Sequence, residues 1–331
     1  MALVEAWWQT AAMPEIRVLS AVDVAALLHP AELRAGLEEA LVALAAGRAD
    51  VPPRIAAVTP DGLLAAMPGY LEAGDTGLLA TKLVSVFPGN APSHQGLIVM
   101  FDAATGTPRC AMDAGVITEE RTALTAAIAA DLLARGDAAV LTIVGAGAQA
   151  HSHARALAPL RAWSQVRIVN RTPSRAEALA NDVREHFASD VDVAAAASVA
   201  EAVRGADVVA LCTHSDAPVI EVDWVDGDAH VSSVGSRIEL PAELVRAGRV
   251  IVDHLGAVTS PPPAGAYELQ GLDASGVVEL GALVAGISLG RATDDEITVF
   301  KSTGHAVQDL AAAGLVLASA ESKDVGTLVR I

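Results

Sequence analysis

The chain has 331 residues with 22 basic and 40 acidic side chains, which gives a formal net charge of −18. Such an acidic chain repels nucleic-acid phosphates and anionic membrane surfaces, so neither is an expected partner. Hydrophobic residues at 52% and charged residues at 19% exclude a disordered protein, and the length predicts about two domains.

The first third of the chain has the pattern of an antiparallel sheet with one or two helices. Ser20 and Asp23 form a capping-box-like pair at the start of a helix whose leucines recur at helical spacing as far as Gly47. An extended Pro52-Pro53 segment follows, and then come short apolar runs bounded by turn residues, which predict strands. Strands are predicted over 55–58, 63–67, 77–86, 96–102 and 109–113.

From Thr118 onward, helices alternate with strands. A helix is predicted from Thr118 to Arg135, and the strands after it are nearly continuous apolar runs, as in a doubly wound parallel sheet. Strands are predicted over 139–144, 166–170, 207–213, 229–235, 250–253 and 297–301, and helices over 149–160, 174–187 and 198–204. A last helix over 305–313 is expected to pack back onto the first domain, and the Ala-rich stretch 193–200 carries no prediction.

A glycine-rich turn between a strand and a helix is the strongest local motif. Gly145 permits a tight turn, Gly147 lets the backbone approach a pyrophosphate, and Ala150 allows the helix to pack closely on the strand. The motif alone is weak, because an ordinary strand-to-helix turn can share it. Here a strand precedes it, a helix follows it, and a second strand ends at Asn170, so we predict a dinucleotide site.

The end of that second strand indicates which nicotinamide cofactor binds. An acidic residue there would hold the ribose hydroxyls of NAD, but this chain has Asn170-Arg171-Thr172. Arg171 can face a 2′-phosphate, and its two neighbours can form hydrogen bonds with it, although a solvated loop arginine is the simpler alternative. The sequence therefore favours NADPH, with NADH still possible.

Three cations in the chain have apolar or small neighbours: Arg54, Lys82 and Arg121. They could converge on a substrate carboxylate, which the arginines would clamp while Lys82 donates a proton. From spacing alone, three separate surface salt bridges are the better explanation of these residues.

The two cysteines, Cys110 and Cys212, are too few for a disulfide framework and lack the spacing of metal ligands, which favours a reducing compartment. No signal peptide is predicted, because Glu5 comes early and no basic segment opens the chain. No apolar run reaches the roughly 18 residues of a membrane span. We expect a cytoplasmic protein with no bound metal.

Taken together, these segments and several others make the chain resemble the ornithine cyclodeaminase/μ-crystallin family. They occur in the family's order from about residue 50 to 315, and their combination is specific, although none is specific alone. The matching segments are Pro53-Arg54, Met67-Pro68, 81–88, Thr105-Gly106, 117–123, 145–150, Val234-Gly235, 300–304 and 308–313.

The resemblance implies a homodimer whose first domain forms the subunit interface, with the substrate between that domain and a Rossmann domain. It also implies that Arg54, Lys82 and Arg121 contact the substrate carboxylate and that Lys82 is catalytic. Met67, Gly304 and His305 are assigned to the same pocket. To the cofactor the resemblance assigns Arg121, Thr122, Gly145, Gly147, Ala148, Gln149, Asn170, Arg171, Thr172, Cys212, Thr213, Val234 and Gly235.

The chain departs from the cyclodeaminase pattern at two places. Cyclodeaminases carry a glutamate two residues before the Met-Pro pair, where this chain has Ala65. They also carry an aspartate shortly after the Val-Gly pair, but the segment after Gly235 is about four residues shorter and lacks it. Glu239 could replace that aspartate. Without the two acids, binding the second amine of a diamino acid is hard to explain.

The sequence thus predicts an α/β protein with a Rossmann-type doubly wound parallel sheet and a smaller α+β domain for substrate binding and dimerisation. The smaller domain is predicted over 1–118 and 310–331, and the NADP-binding domain over 119–309. The predicted reaction is hydride transfer from NADPH to the C=N carbon of an α-imino acid, such as a cyclic ketimine. An alanine-type dehydrogenase, an ornithine cyclodeaminase and a non-catalytic NADPH-binding protein stay open as alternatives.

Overall fold

The computed structural model describes residues 15–90 and 92–331 and contains two eight-stranded sheets. The prediction that the chain has no signal peptide concerns its N-terminal segment. Most of that segment lies outside the described residues. In the described part of the chain, no helix is long and apolar enough to cross a membrane.

The first sheet is antiparallel except where its first strand pairs with β7 in parallel. Its order is β16-β1-β7-β6-β5-β4-β2, with β3 paired to β4. The strands are β1 (Glu15–Leu19), β2 (Ala49–Asp50), β3 (Ile55–Val58), β4 (Leu63–Leu71), β5 (Leu78–Val86), β6 (His94–Phe101), β7 (Pro108–Asp113) and β16 (Thr327–Arg330). Met67 on β4 lies opposite Lys82 on β5, so strand register brings these two predicted site residues together.

Two helices, α1 (Ala21–Leu27) and α2 (Pro30–Ala45), lie in the first third of the chain. Ser20 and Asp23 do form a capping box at the start of α1. Pro30 occupies the first turn of α2, where its missing N–H costs nothing, so the helix restarts there. Of the one or two helices predicted for this part of the chain, the structure therefore has two.

All strands of the second sheet run in parallel, as predicted. Its order is β10-β9-β8-β11-β12-β15-β13-β14. The strands are β8 (Val140–Val144), β9 (Gln165–Val169), β10 (Asp192–Ala195), β11 (Val208–Leu211), β12 (His230–Val234), β13 (Arg249–Val252), β14 (Val278–Glu279) and β15 (Thr298–Ser302). The strand order reverses beside β8, which is the switch point where doubly wound sheets bind ligands.

Helices cover both sheets. They are α3 (Gly115–Leu133), α4 (Ala148–Leu157), α5 (Pro173–Val183), α6 (Val199–Val203), α7 (Ala242–Ala247), α8 (Gly256–Thr259), α9 (Leu280–Val284) and α10 (Ala306–Lys323). As predicted, α10 packs against strands of the first sheet, whereas α3 packs against both sheets. The predicted domain division would cut α3 and α10, and it stays a prediction.

Several predicted boundaries differ from the structure. Helix α10 extends to Lys323, ten residues beyond the predicted end at Ala313, because its buried face continues through Val316, Leu317 and Ala320. Strand β10 lies in the Ala-rich stretch that carried no prediction. Its backbone pairs with β9 although its side chains are small and mostly exposed, so composition gives little signal there.

Candidate active site

The glycine-rich turn leaves open space at the N-terminus of α4. Gly145 has φ of +126°, and a Cβ there would lie 2.4 Å from the carbonyl oxygen of Cys212, so only glycine fits between β8 and β11. A Cβ at Gly147 would meet no atom within 4 Å, and Ala150 is fully buried against the core. The helix presents unpaired N–H groups beside this space, which fits a pyrophosphate.

At the end of β9, next to the glycine turn, lie Asn170, Arg171 and Thr172. The Asn170 side-chain amide donates to the carbonyl oxygen of Thr172 at 3.2 Å, which shapes the turn. Arg171 is exposed there. The turn thus presents a cation, and no acidic side chain, beside the edge of the sheet where the adenosine half of a dinucleotide binds.

Lys82 and Arg121 share one buried counter-ion, Asp309. Lys82 Nζ donates to Asp309 Oδ1 at 2.9 Å, and Arg121 Nε donates to the same oxygen at 3.2 Å. All three residues are nearly inaccessible, with exposed fractions of 3 to 4%. Asp309 Oδ2 is buried too and has no hydrogen-bond partner among the described residues. Strand β5, helix α3 and helix α10 each supply one member of this cluster.

Burial lowers the pKa of Lys82 to about 8, although the attraction of Asp309 opposes that change. For Asp309, burial alone would raise the pKa, but Lys82 and Arg121 hold it below its usual value. The Asp309 carboxylate therefore stays ionised, and the pKa of the Lys82 ammonium lies close to neutral pH. A lysine with these properties can give up a proton near physiological pH.

Arg54 reaches the same region through the turn at residues 303–304. Its guanidinium donates to the carbonyl oxygens of Thr303 and Gly304, each at 2.6 Å. Among the described residues no carboxylate lies within salt-bridge distance of Arg54, so its charge is free for an anion. Gly304 has φ of +76°, and a Cβ there would lie 2.8 Å from Arg121 Nη1, so glycine lets this turn touch both arginines.

His305 lies beside this turn, with its ring tilted by 39° against that of a second histidine. Its ring centroid is 4.4 Å from that of His254, whose Nε2 is 3.0 Å from the Thr303 hydroxyl. Burial lowers the pKa of His305 to about 3 and also lowers that of His254, so both rings are neutral near pH 7. Asp253 at the end of β13 accepts hydrogen bonds from Ser302 and from the Gly304 N–H.

Glu239 is buried but does not face the substrate as a free acid. One of its oxygens accepts from the Thr213 N–H at 2.8 Å and from the Thr213 hydroxyl at 2.6 Å. Its other oxygen accepts from the Ser233 hydroxyl at 2.6 Å. Both oxygens are therefore occupied, and Glu239 is unsuited to bind a substrate amine in place of the missing aspartate.

The structure brings most of the predicted residues to one region. Met67 and Lys82 face each other across β4 and β5, and Thr122 follows Arg121 on α3. The predicted cofactor residues lie at the carboxyl edge of the second sheet, at the ends of β8, β9, β11 and β12. They are Gly145, Gly147, Ala148, Gln149, Asn170, Arg171, Thr172, Cys212, Thr213, Val234 and Gly235.

Asp309, Asp253 and His254 lie in the site although the sequence motifs do not predict them there. A signal for Asp309 existed, because it is an acidic residue within the otherwise apolar run of α10 and such a residue needs a partner when buried. Asp253 ends an apolar strand at the ligand-binding edge of the sheet, which is a comparable signal.

Comparison with known proteins identifies the family of the chain. The model of the ornithine cyclodeaminase/mu-crystallin family matches residues 15–324. The chain belongs to this family. It is 39% identical to the ketimine reductase mu-crystallin of Mus musculus, over 77% of this chain and 80% of that protein.

Two solved structures of this family also match over nearly the whole chain. One is the Δ1-pyrroline-2-carboxylate reductase of Thermococcus litoralis in complex with NADH and L-proline. It has a TM-score of 0.88 at 30% identity, and 95% of this chain and 100% of that one are covered. The other is an archaeal alanine dehydrogenase dimer with bound NAD, with a TM-score of 0.86 at 29% identity and coverage of 96% and 100%. The Rossmann-type α/β fold predicted for the family is therefore confirmed.

Proposed function

We propose that this protein is an oxidoreductase that reduces the C=N bond of an α-imino acid at the expense of NADPH. The observation that carries the proposal is the buried cluster of Lys82, Arg121 and Asp309, with Arg54 beside it, next to the carboxyl edge of the Rossmann sheet. The ketimine and pyrroline-2-carboxylate reductases among its relatives support the same reaction class.

The substrate carboxylate is bound by the three cations. Arg54 has hydrogen-bond donors, and among the described residues no carboxylate forms a salt bridge with it. Arg121 adds a planar guanidinium beside the same turn. Charge-assisted hydrogen bonds to a carboxylate are stronger than neutral ones, and two guanidinium groups restrict its orientation. Fixing the carboxylate fixes the neighbouring imino carbon, which lowers the entropic part of the barrier.

Lys82 supplies the proton that the substrate nitrogen gains on reduction, directly or through a water that it orients. With a pKa near 8, Lys82 is still largely protonated at pH 7 and yet releases its proton readily. Asp309 holds the ammonium in place and compensates its charge while the pocket is empty. The neutral His305 and His254 form part of the pocket wall beside Arg54.

The glycine turn would hold the pyrophosphate, and Arg171 would face the 2′-phosphate of NADPH. The bound cofactor supplies the hydride. Exposed Arg171, with Asn170 and Thr172 around it, favours NADPH over NADH, because an acidic residue at this place would repel the phosphate.

An alanine-type dehydrogenase is the second candidate, since it differs from an imine reductase only in condensing free ammonia at the site. It is favoured by the likeness to the archaeal alanine dehydrogenase over nearly the whole chain. Ornithine cyclodeamination ranks lower, because Ala65 is buried and apolar and both oxygens of Glu239 are engaged. No acid then remains at the two expected places to bind a second amine.

We also propose a homodimer formed through the first sheet. Strand β3 at its edge is exposed along its whole length, with Ile55 69% and Val58 76% accessible. Leu64 on the neighbouring strand β4 and Leu97 on β6, which is separated from β4 by β5, are exposed as well. Such an apolar group on a sheet is typical of a protein interface.

The proposal is tested by mixing purified protein with NADPH or NADH and following cofactor absorbance with a panel of substrates. The panel holds five- and six-membered cyclic α-imino acids, pyruvate with ammonia or methylamine, and ornithine with the oxidised cofactors. Rapid oxidation of NADPH with a cyclic imino acid is the expected result. Activity confined to pyruvate with an amine would favour the dehydrogenase, proline formed from ornithine would favour the cyclodeaminase, and binding of NADPH without turnover would favour a non-catalytic protein.

A further inference from the structure

The buried carboxylate of Glu239 fixes the direction of a chain of hydrogen bonds. Glu239 is 1% exposed and accepts three hydrogen bonds, two of them from Thr213. On the far side of Ser233, Lys301 Nζ donates to the Ser233 hydroxyl oxygen at 2.8 Å and pairs with Glu268 at 2.7 Å. Because an ammonium can only donate, Ser233 accepts from Lys301 and directs its own hydrogen at Glu239.

Thr213 is consequently restricted in what it can offer to a ligand. Burial raises the pKa of Glu239, but Lys301 and the hydrogen bonds from Ser233 and Thr213 oppose that change. An ionised carboxylate only accepts hydrogen bonds, so the hydroxyl hydrogen of Thr213 points at Glu239, 2.6 Å away. The Thr213 oxygen keeps lone pairs on its other side, and the residue is half-buried, so a ligand can reach them. Thr213 therefore acts as a hydrogen-bond acceptor toward anything that binds there.

The position of Thr213 suggests which part of the cofactor it would meet. It follows β11, the neighbour of β8, and the backbone of the preceding Cys212 lies directly against Gly145 of the glycine turn. With the pyrophosphate at that turn and the adenosine toward β9, the nicotinamide half extends over the ends of β11 and β12. The nicotinamide carboxamide has one donor, its NH2 group, and one acceptor, its carbonyl oxygen.

We propose that Glu239 is a positioning residue that keeps Thr213 an acceptor, so that Thr213 binds the NH2 group of the nicotinamide carboxamide and fixes how that group is rotated. This inference rests on the proposed function, since it requires a nicotinamide cofactor at the carboxyl edge of the second sheet. It also gives buried Glu239 a role in cofactor recognition, separate from the amine binding that its hydrogen bonds exclude.

Equilibrium binding tests this with NADP⁺ and its acetylpyridine analogue, in which a methyl group replaces the amide NH2. Titration calorimetry gives the ratio of the two Kd values without turnover. We expect wild-type protein to bind NADP⁺ about fivefold more tightly than the analogue, as one neutral hydrogen bond permits. Thr213→Val should bring the ratio to about one, while Thr213→Ser should keep the wild-type ratio.

Variants at Glu239 separate positioning from folding. Glu239→Gln keeps a carbonyl oxygen toward Thr213 and should keep the preference for NADP⁺. Glu239→Leu leaves the Thr213 hydroxyl free to rotate and should remove the preference for NADP⁺ over the analogue. Two results would overturn this inference but not the proposed function. One is a Thr213→Val protein that keeps the wild-type ratio of Kd values, and the other is a wild-type protein that binds NADP⁺ and its analogue equally well. Wild-type protein that binds neither nucleotide would overturn the proposed function as well.

Discussion

Charge in the pocket is set by three cations and two buried carboxylates. Lys82, Arg121 and Arg54 carry the positive charges, and Asp309 and Asp253 carry the negative ones, while His254 and His305 are neutral because burial lowers the pKa of each. One positive charge is left over. The carboxylate group of a bound ligand pairs with it, so the pocket suits a small ligand that carries one carboxylate.

Replacing Lys82 tests its role as proton donor. We expect Lys82→Ala to lower kcat/KM for imine reduction by about 100-fold or more, the range that general acid catalysis contributes. Lys82→Arg keeps the positive charge but cannot release a proton, so it should bind substrate better than Lys82→Ala and still turn over slowly. Steady-state kinetics of the three proteins provide the comparison, and a Lys82→Ala enzyme with wild-type turnover and affinity would disprove the role.

The pH dependence of reduction should follow Lys82. Its pKa is lowered to about 8 by burial, so the ammonium is present below that pH and lost above it. We therefore expect kcat/KM to fall as pH rises through about 8, because deprotonation removes both the proton donor and a cation that binds the carboxylate. A profile measured from pH 6 to 10 tests this, and an increase over that interval would contradict it.

Asp309 stabilises both the fold and the charge on Lys82. With Asp309→Asn, two buried cations lose their counter-ion, which costs about 3–5 kcal/mol for a pair broken in this way. The pKa of Lys82 should fall further, so the descending limb of the pH profile should move to lower pH. Urea unfolding measures the first effect and kinetics the second. A descending limb at the same pH as in the wild type would mean that Asp309 does not control the pKa of Lys82.

At the scale of elements, the two glycines of the β8–α4 turn have separable roles. Gly145→Ala would place a Cβ 2.4 Å from the Cys212 carbonyl at a φ of +126°, so it should destabilise the fold by more than about 1 kcal/mol. Gly147→Ala meets open space and should leave stability nearly unchanged, yet its methyl group would occupy the space for the pyrophosphate.

Thermal unfolding and NADPH titration of the two variants separate these effects. The expected result is a lower Tm for Gly145→Ala and a normal Tm with weak NADPH binding for Gly147→Ala. Tight NADPH binding by Gly147→Ala would show that the phosphates lie elsewhere.

The elements differ in how well the sequence predicts them. The parallel strands and the turn at Gly145 are predictable, since long apolar runs and a glycine motif arise from local geometry. The break between α1 and α2 is less visible, because the capping box opens α1 while the regularly spaced leucines all lie in α2, and only Pro30 marks the restart. Strands β1 and β16 pair across the whole length of the chain, from Glu15 to Arg330, and local patterns do not encode such distant partners.

For the whole molecule, the exposed apolar surface of the first sheet should mediate dimerisation. A Val58→Lys substitution would place a charge on strand β3 within that surface and should yield monomers. Ile287→Lys is a matched control, because Ile287 is also 76% exposed but lies outside the first sheet. Light scattering of the two variants and the wild type measures the mass. A dimeric Val58→Lys protein would place the interface elsewhere.

The active site is assembled from segments far apart in the chain. Arg54 contacts the turn at 303–304, and Lys82 pairs with Asp309, more than 200 residues away. Residue types and motifs predict which cations matter, but only the tertiary fold determines that Asp309 lies between Lys82 and Arg121. The same holds for Glu239, whose partners Thr213 and Ser233 belong to the ends of two neighbouring strands.

Isotope transfer tests the central claim most directly. The protein would be incubated with a cyclic α-imino acid and NADPH that is deuterated at both hydrogen positions of nicotinamide C4, the carbon that gives up the hydride. The account predicts an amino acid product with one deuterium on its α-carbon, seen by mass spectrometry and proton NMR. An unlabelled product, or no product although NADPH binds, would contradict the assignment of this protein as an imine reductase.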